Sequence, residues 1–127
     1  MRKDPLVIGE TYHIFFRSIA DFKILNKTSD YERMQKLIKY YKTDNTIKFS
    51  DFINLKLVQQ EGFNNAVDIV SEEKDKLVQI IAYCLMPTHV HLILQQLIKN
   101  GISKYIKDFL ISYTRTFNLM HKRKGPL

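Results

Sequence analysis

Residues 77–94 read as one strand–turn–strand unit, and the rest of the chain has to be arranged around it. Leu77 to Met86 is a nearly continuous apolar run, the pattern of a central strand covered on both faces. Pro87-Thr88 interrupts it, because proline cannot donate to a strand ladder. His89-Val-His-Leu-Ile-Leu94 then resumes as a second strand, so the two form a hairpin. Upstream, Glu10 to Arg17 is rich in aromatic and β-branched residues and predicts another strand. Asp30 is placed to cap a helix running Tyr31 to Tyr41, with Tyr31, Met34, Leu37, Ile38 and Tyr41 on one buried face.

After Gly101 the pattern turns helical again, with Ser103 as the expected cap and Ile106, Leu110, Tyr113 and Phe117 as the inner stripe. Gly125-Pro126 stands where a helix stop is expected. Strand, helix, hairpin, helix is five-sixths of a ferredoxin-like βαββαβ layout. The expected class is therefore α+β, a ferredoxin-like antiparallel sheet with helices packed on it. The 127 residues are expected to form a single domain, with a helical insertion at about 43–75. Within that insertion, Ser50 to Gln59 and Asn64 to Ser71 both have helical patterning.

Charge is informative mainly through its position. From Lys99 onward the chain carries Lys99, Lys104, Lys107, Arg115, Lys122, Arg123 and Lys124 against the single acid Asp108, nearly the whole +7 excess. A basic patch of this kind is the footprint of a polyanionic partner, or else a solvated helix face. The single Cys84 excludes an internal disulfide and fits a reducing cytoplasm. No apolar run is long enough to span a membrane, so no membrane partner is expected.

Two residues apart on a strand, His89 and His91 project from the same face about 7 Å apart, at roughly 3.3 Å per residue. Two imidazoles so placed can close on one cation at metal–nitrogen distances of about 2.1 Å. They leave coordination positions open for substrate oxygens and water, a catalytic rather than a structural arrangement. A structural zinc site usually needs four protein ligands, and Cys84 is the only thiol. A zinc hydrolase further requires a third ligand and a base, which no HExxH pattern supplies. His13 can approach the pair if its strand is a neighbour. An isolated His-x-His pair is otherwise an unremarkable strand feature.

Ala82-Tyr-Cys-Leu-Met-Pro-Thr-His-Val-His-Leu-Ile-Leu94 resembles the strand–turn–strand of the IS200-like single-tyrosine transposases of the HUH class and of the REP-associated transposases, which carry a "YxxMPxHxHLxL" pattern. Thr11-Tyr-His-Ile-Phe-Phe-Arg17 is similar to the family's first strand, "YHVxxR". Tyr113-Thr-Arg-Thr-Phe-Asn118, with His121-Lys-Arg-Lys-Gly125, resembles its "YTxYFNxxHxRxG" helix end. The resemblance covers most of the chain outside residues 43–75.

The resemblance implies an enzyme of DNA transposition and recombination. It would bind single-stranded or hairpin DNA, largely independently of sequence where Arg17, Lys104, Lys107, Arg115, Lys122, Arg123 and Lys124 meet phosphates, and act as a homodimer. It implies Mg²⁺ or Mn²⁺ at His89 and His91, and strand transfer through a 5′-phosphotyrosine. The family's nucleophilic tyrosine and third metal ligand lie on a C-terminal catalytic helix beyond the "HxRxG" stretch. The expectation is that this helix is missing, in a truncated or decayed copy, and that residues 1–127 do not cleave DNA. Tyr113 is the only substitute nucleophile to weigh, and its place in the apolar stripe argues for a core role. The competing expectation is a non-catalytic nucleic-acid-binding module built on the same ferredoxin-like sheet.

Overall fold

The computed structural model describes residues 5–19 and 22–127. Its elements are β1 (Thr11–Arg17), α1 (Thr28–Tyr40), α2 (Phe49–Phe52), α3 (Lys56–Glu61), α4 (Phe63–Ser71), β2 (Val78–Met86), β3 (His89–Gln96) and α5 (Gly101–His121). The three strands form one antiparallel sheet in the order β1-β3-β2, so the fold is α+β as the patterning implied. No helix among the described residues is long and apolar enough to cross a membrane.

Strand β3 is the central strand, paired along both sides. Its Val90, Leu92, Leu94 and Gln96 are buried against the helical layer. The alternate residues His89, His91, Ile93 and Gln95 stand on the other face, which is open among the described residues. This corrects the expectation for Leu77 to Met86: β2 is an edge strand covered on one face only. The run misleads because Ile81, Ala82, Cys84 and Met86 are apolar yet exposed, and the register slips between Ile80 and Ala82.

Helix α1 begins earlier than expected. Lys27 is the N-cap, and Asp30 lies inside the first turn. Its carboxylate still serves the helix end, accepting the Asn26 and Lys27 backbone N–H groups at 2.9 and 3.0 Å. The insertion is helical, but the stretch expected as one helix from Ser50 to Gln59 is divided between α2 and α3. Phe49 and Phe52 from α2 and Ala66 and Val67 from α4 are buried. Phe52 meets Tyr40 at the end of α1 with ring centroids 4.6 Å apart, so the insertion is anchored by aromatic packing.

Helix α5 starts at Gly101 rather than at Ser103, behind Asn100 in the left-handed region at φ 62°. A Cβ at Gly101 would lie 2.2 Å from the Leu77 carbonyl oxygen, so glycine lets the helix start abut the entry to β2. Buried Gln96, at the end of β3, ties the start of α5 to the segment before β1: its amide oxygen accepts the Ile102 N–H at 3.1 Å, and its amide nitrogen donates to the Leu6 carbonyl at 2.8 Å. The inner stripe is Ile102, Tyr105, Phe109, Tyr113 and Phe117. Ile106 and Leu110 flank it half-buried, a correction to the expected stripe, because the large rings at Tyr105 and Phe109 fill the space under the sheet. The Tyr105 hydroxyl donates to the Ile38 carbonyl at 2.8 Å and ties α5 to α1.

Candidate functional site

The antiparallel register brings together residues that are distant in sequence. Phe15 pairs with His91 and Arg17 with His89 across β1 and β3, and His13 stands one pleat further along the same open face. The imidazoles of His89 and His91 lie 5.2 Å apart, centroid to centroid, at 81°. Each has its Nδ1 occupied by a neighbour. His89 Nδ1 is 3.0 Å from the Thr88 hydroxyl, and His91 Nδ1 is 2.9 Å from His13 Nε2.

That pattern matters for metal chemistry. An imidazole that binds a cation through Nε2 must carry its proton on Nδ1, and a partner accepting that proton holds ring and tautomer in place. Thr88 and His13 stand within hydrogen-bond distance of the two Nδ1 atoms, where each can accept that proton. Desolvation, reinforced by the neighbouring His13 and His89, holds the His91 imidazole below the ordinary histidine range and so favours its neutral, ligating form. Among the described residues no three His, Cys, Asp or Glu side chains group to hold a metal ion. The donor set is thus a pair of imidazoles, which fits a cation whose remaining positions are taken by water or substrate.

Tyr113 lies on the wrong side of the sheet for this site. It belongs to the buried stripe of α5, under the face carrying Val90 and Leu92, while the histidines stand on the opposite face. Its hydroxyl donates to the Ile24 carbonyl, and burial pushes its pKa well above the ordinary phenol value. Both conditions oppose formation of a phenolate nucleophile.

The basic residues separate into three settings. Arg17, Arg115, Arg123 and Lys124 line one groove of about 900 Å³ between the end of β1, the second half of α5 and the C-terminal turn. Lys104 and Arg115 face a smaller cleft of about 270 Å³ that the insertion closes with Lys48. Lys107 and Lys122 are exposed. Lys104 is already engaged, 3.0 Å from Asp108 and 3.5 Å from Asp44. Arg123 donates to Asn118 Oδ1 at 2.8 Å and to the Pro126 carbonyl at 3.1 Å.

Sequence reasoning left Thr88, Lys48 and Phe15 unassigned. Thr88 had a signal, since it directly precedes His89 in the turn. Lys48 had none, because only the folding of the insertion brings it to the cleft that Arg115 also lines.

The family model described as "Transposase IS200 like" matches residues 56–125, which include both hairpin strands, the histidine pair and all of α5. No curated relative and no solved structure matches the chain. With more than half of its length matched, and the His-x-His pair set on the central strand of an α+β sheet, the chain belongs to the IS200-like transposase family.

Proposed function

We propose that this chain is a transposase domain that binds single-stranded, hairpin-forming DNA as a homodimer and supports metal-assisted strand cleavage and transfer. His89 and His91 hold a divalent ion, Mg²⁺ or Mn²⁺, and imidazole donors favour Mn²⁺ of the two. When bound, the ion supplies charge stabilisation at the scissile phosphate. Thr88 and His13 keep the two imidazoles oriented with Nε2 available. Arg17, opposite His89, is set to neutralise a neighbouring phosphate on the open face.

Transfer proceeds through a 5′-phosphotyrosine: a tyrosine oxygen bonds to phosphorus as the P–O3′ bond breaks, and a 3′-OH later attacks that linkage. One phosphoester replaces another, so no nucleotide hydrolysis is needed. Tyr113 is not the attacking residue. Arg115, Lys107, Lys122 and Lys124 supply the sequence-independent, salt-sensitive part of DNA binding.

The observation that carries this reading is the projection of both histidines from the open face of the central strand, each with Nδ1 held by a neighbour. The test is Mn²⁺ titration of the wild type against the His89→Ala, His91→Ala double variant, together with hairpin DNA binding. Metal binding that disappears in the variant supports the site. Equal metal binding by both proteins ends it. DNA binding without any metal binding identifies a non-catalytic nucleic-acid-binding module.

A further inference from the structure

Phe15 is out of place as a core residue. Its strand neighbours Ile14 and Phe16 pack against the buried cluster, but Phe15 points to the open face with 48% of its surface exposed. There it is the cross-strand partner of His91, with ring centroids 4.8 Å apart, and its centroid is 5.8 Å from that of His89. A single exposed aromatic is ordinary on a protein surface. An aromatic ring beside a pair of candidate metal ligands is a more specific arrangement.

Charge adds a second observation. The three strands, TYHIFFR, VQIIAYCLM and HVHLILQQ, contain no Asp or Glu, so this face presents histidines and one arginine with no strand carboxylate to repel a polyanion. Arg17 stands two residues from Phe15 on the same face, its guanidinium carbon 5.9 Å from the ring centroid. That is near the outer limit of a cation–π contact, so little is lost when the guanidinium turns to another partner.

We propose that Phe15 is a stacking platform for an unpaired nucleobase adjacent to the phosphate held at His89 and His91, with Arg17 contacting the next phosphate. The ligand class is a single-stranded nucleotide segment. Within a duplex both faces of each base are covered by their neighbours, whereas an unpaired base offers a free π-face at modest cost. The platform therefore makes the open sheet face selective for single strands, a selectivity that backbone contacts alone do not provide. The inference rests on the reading of DNA as the partner.

The experiment uses the full chain and fluorescent single-stranded oligonucleotides in which one abasic position is moved along the strand. For the wild type, affinity is expected to fall about tenfold to a hundredfold at one position, the size of one base–aromatic stack. Phe15→Leu keeps apolar bulk without a π-face; it should bind the intact strand that much more weakly and lose sensitivity to the abasic position. Phe15→Trp should restore both. Mn²⁺ affinity and duplex binding are expected to be the same in all three proteins.

If the wild type binds single strands and Phe15→Leu binds them equally well, the platform is refuted while the DNA reading stands. If the wild type binds no single-stranded DNA, both fall together. If Phe15→Leu changes only self-association in sedimentation, the face is covered by a second copy, and the platform is refuted.

Discussion

His91 Nδ1 lies 2.9 Å from His13 Nε2, joining the central strand to its neighbour on the face that carries His89 and His91. Removing the acceptor frees the His91 ring to rotate and to change tautomer. His13→Ala is therefore expected to weaken Mn²⁺ binding about tenfold to a hundredfold. Because His13 is exposed, the melting temperature should move little. His13→Gln, which still offers an acceptor, should recover part of the loss. Calorimetric titration of the three proteins checks this, and identical affinities would remove His13 from the site.

Tyr113 should behave as a structural residue. Tyr113→Phe gives up the hydroxyl's bond to the Ile24 carbonyl and should destabilise the fold by about 1 kcal/mol, read as a lower urea midpoint. Mass spectrometry after incubation with Mn²⁺ and single-stranded DNA should find no nucleotide attached to Tyr113. A covalent adduct at that residue would overturn its placement in the core.

The basic residues should not contribute equally to DNA binding. Lys104 is held between Asp44 and Asp108, and its hydrogen bond to Asp108 raises its pKa, whereas Lys107 is exposed. Lys107→Ala should lower the slope of log affinity against log salt by about 1. Lys104→Ala should change that slope less, because its charge is already partly neutralised. A salt series on both variants decides the point.

Gly101→Ala tests how α5 is joined to the sheet. The added methyl would sit 2.2 Å from a backbone oxygen that has no side chain to move aside, so relief requires displacement of the helix start. A loss of about 1–3 kcal/mol is expected from overpacking, measurable by urea unfolding. A neutral result would show that the junction between β2 and α5 has room to spare.

The hairpin and the histidine pair were legible in the sequence because their signals are local. Pro87-Thr88 marks the turn, and a spacing of two on a strand puts both imidazoles on one face. What the sequence did not show is which strand lies in the middle. Strand order follows from long-range pairing, and an apolar edge residue such as Ile81 cannot be told from a core one by its identity. For the same reason the place of Phe15 was hidden and that of His13 was left conditional on its strand being a neighbour, since the register that sets them beside His91 joins residues 76 and 78 positions apart. The helix stripe was misjudged more narrowly. Ile106 and Leu110 satisfy helical spacing with Tyr113 and Phe117 as well as Tyr105 and Phe109 do, and ring volume under the sheet decides between them.

The β1-β3-β2 order also has a consequence for exchange kinetics. Backbone amides of β3 bond to partners on both sides, whereas each flanking strand has one side without a strand partner among the described residues. Opening β3 requires two ladders to part, so its amides should be the slowest in the sheet to take up deuterium. The paired imidazoles thus ride on the slowest-opening strand, while His13 and Phe15 ride on a strand that can fray. Fluctuations of β1 would loosen His13 and Phe15 while leaving His89 and His91 in place.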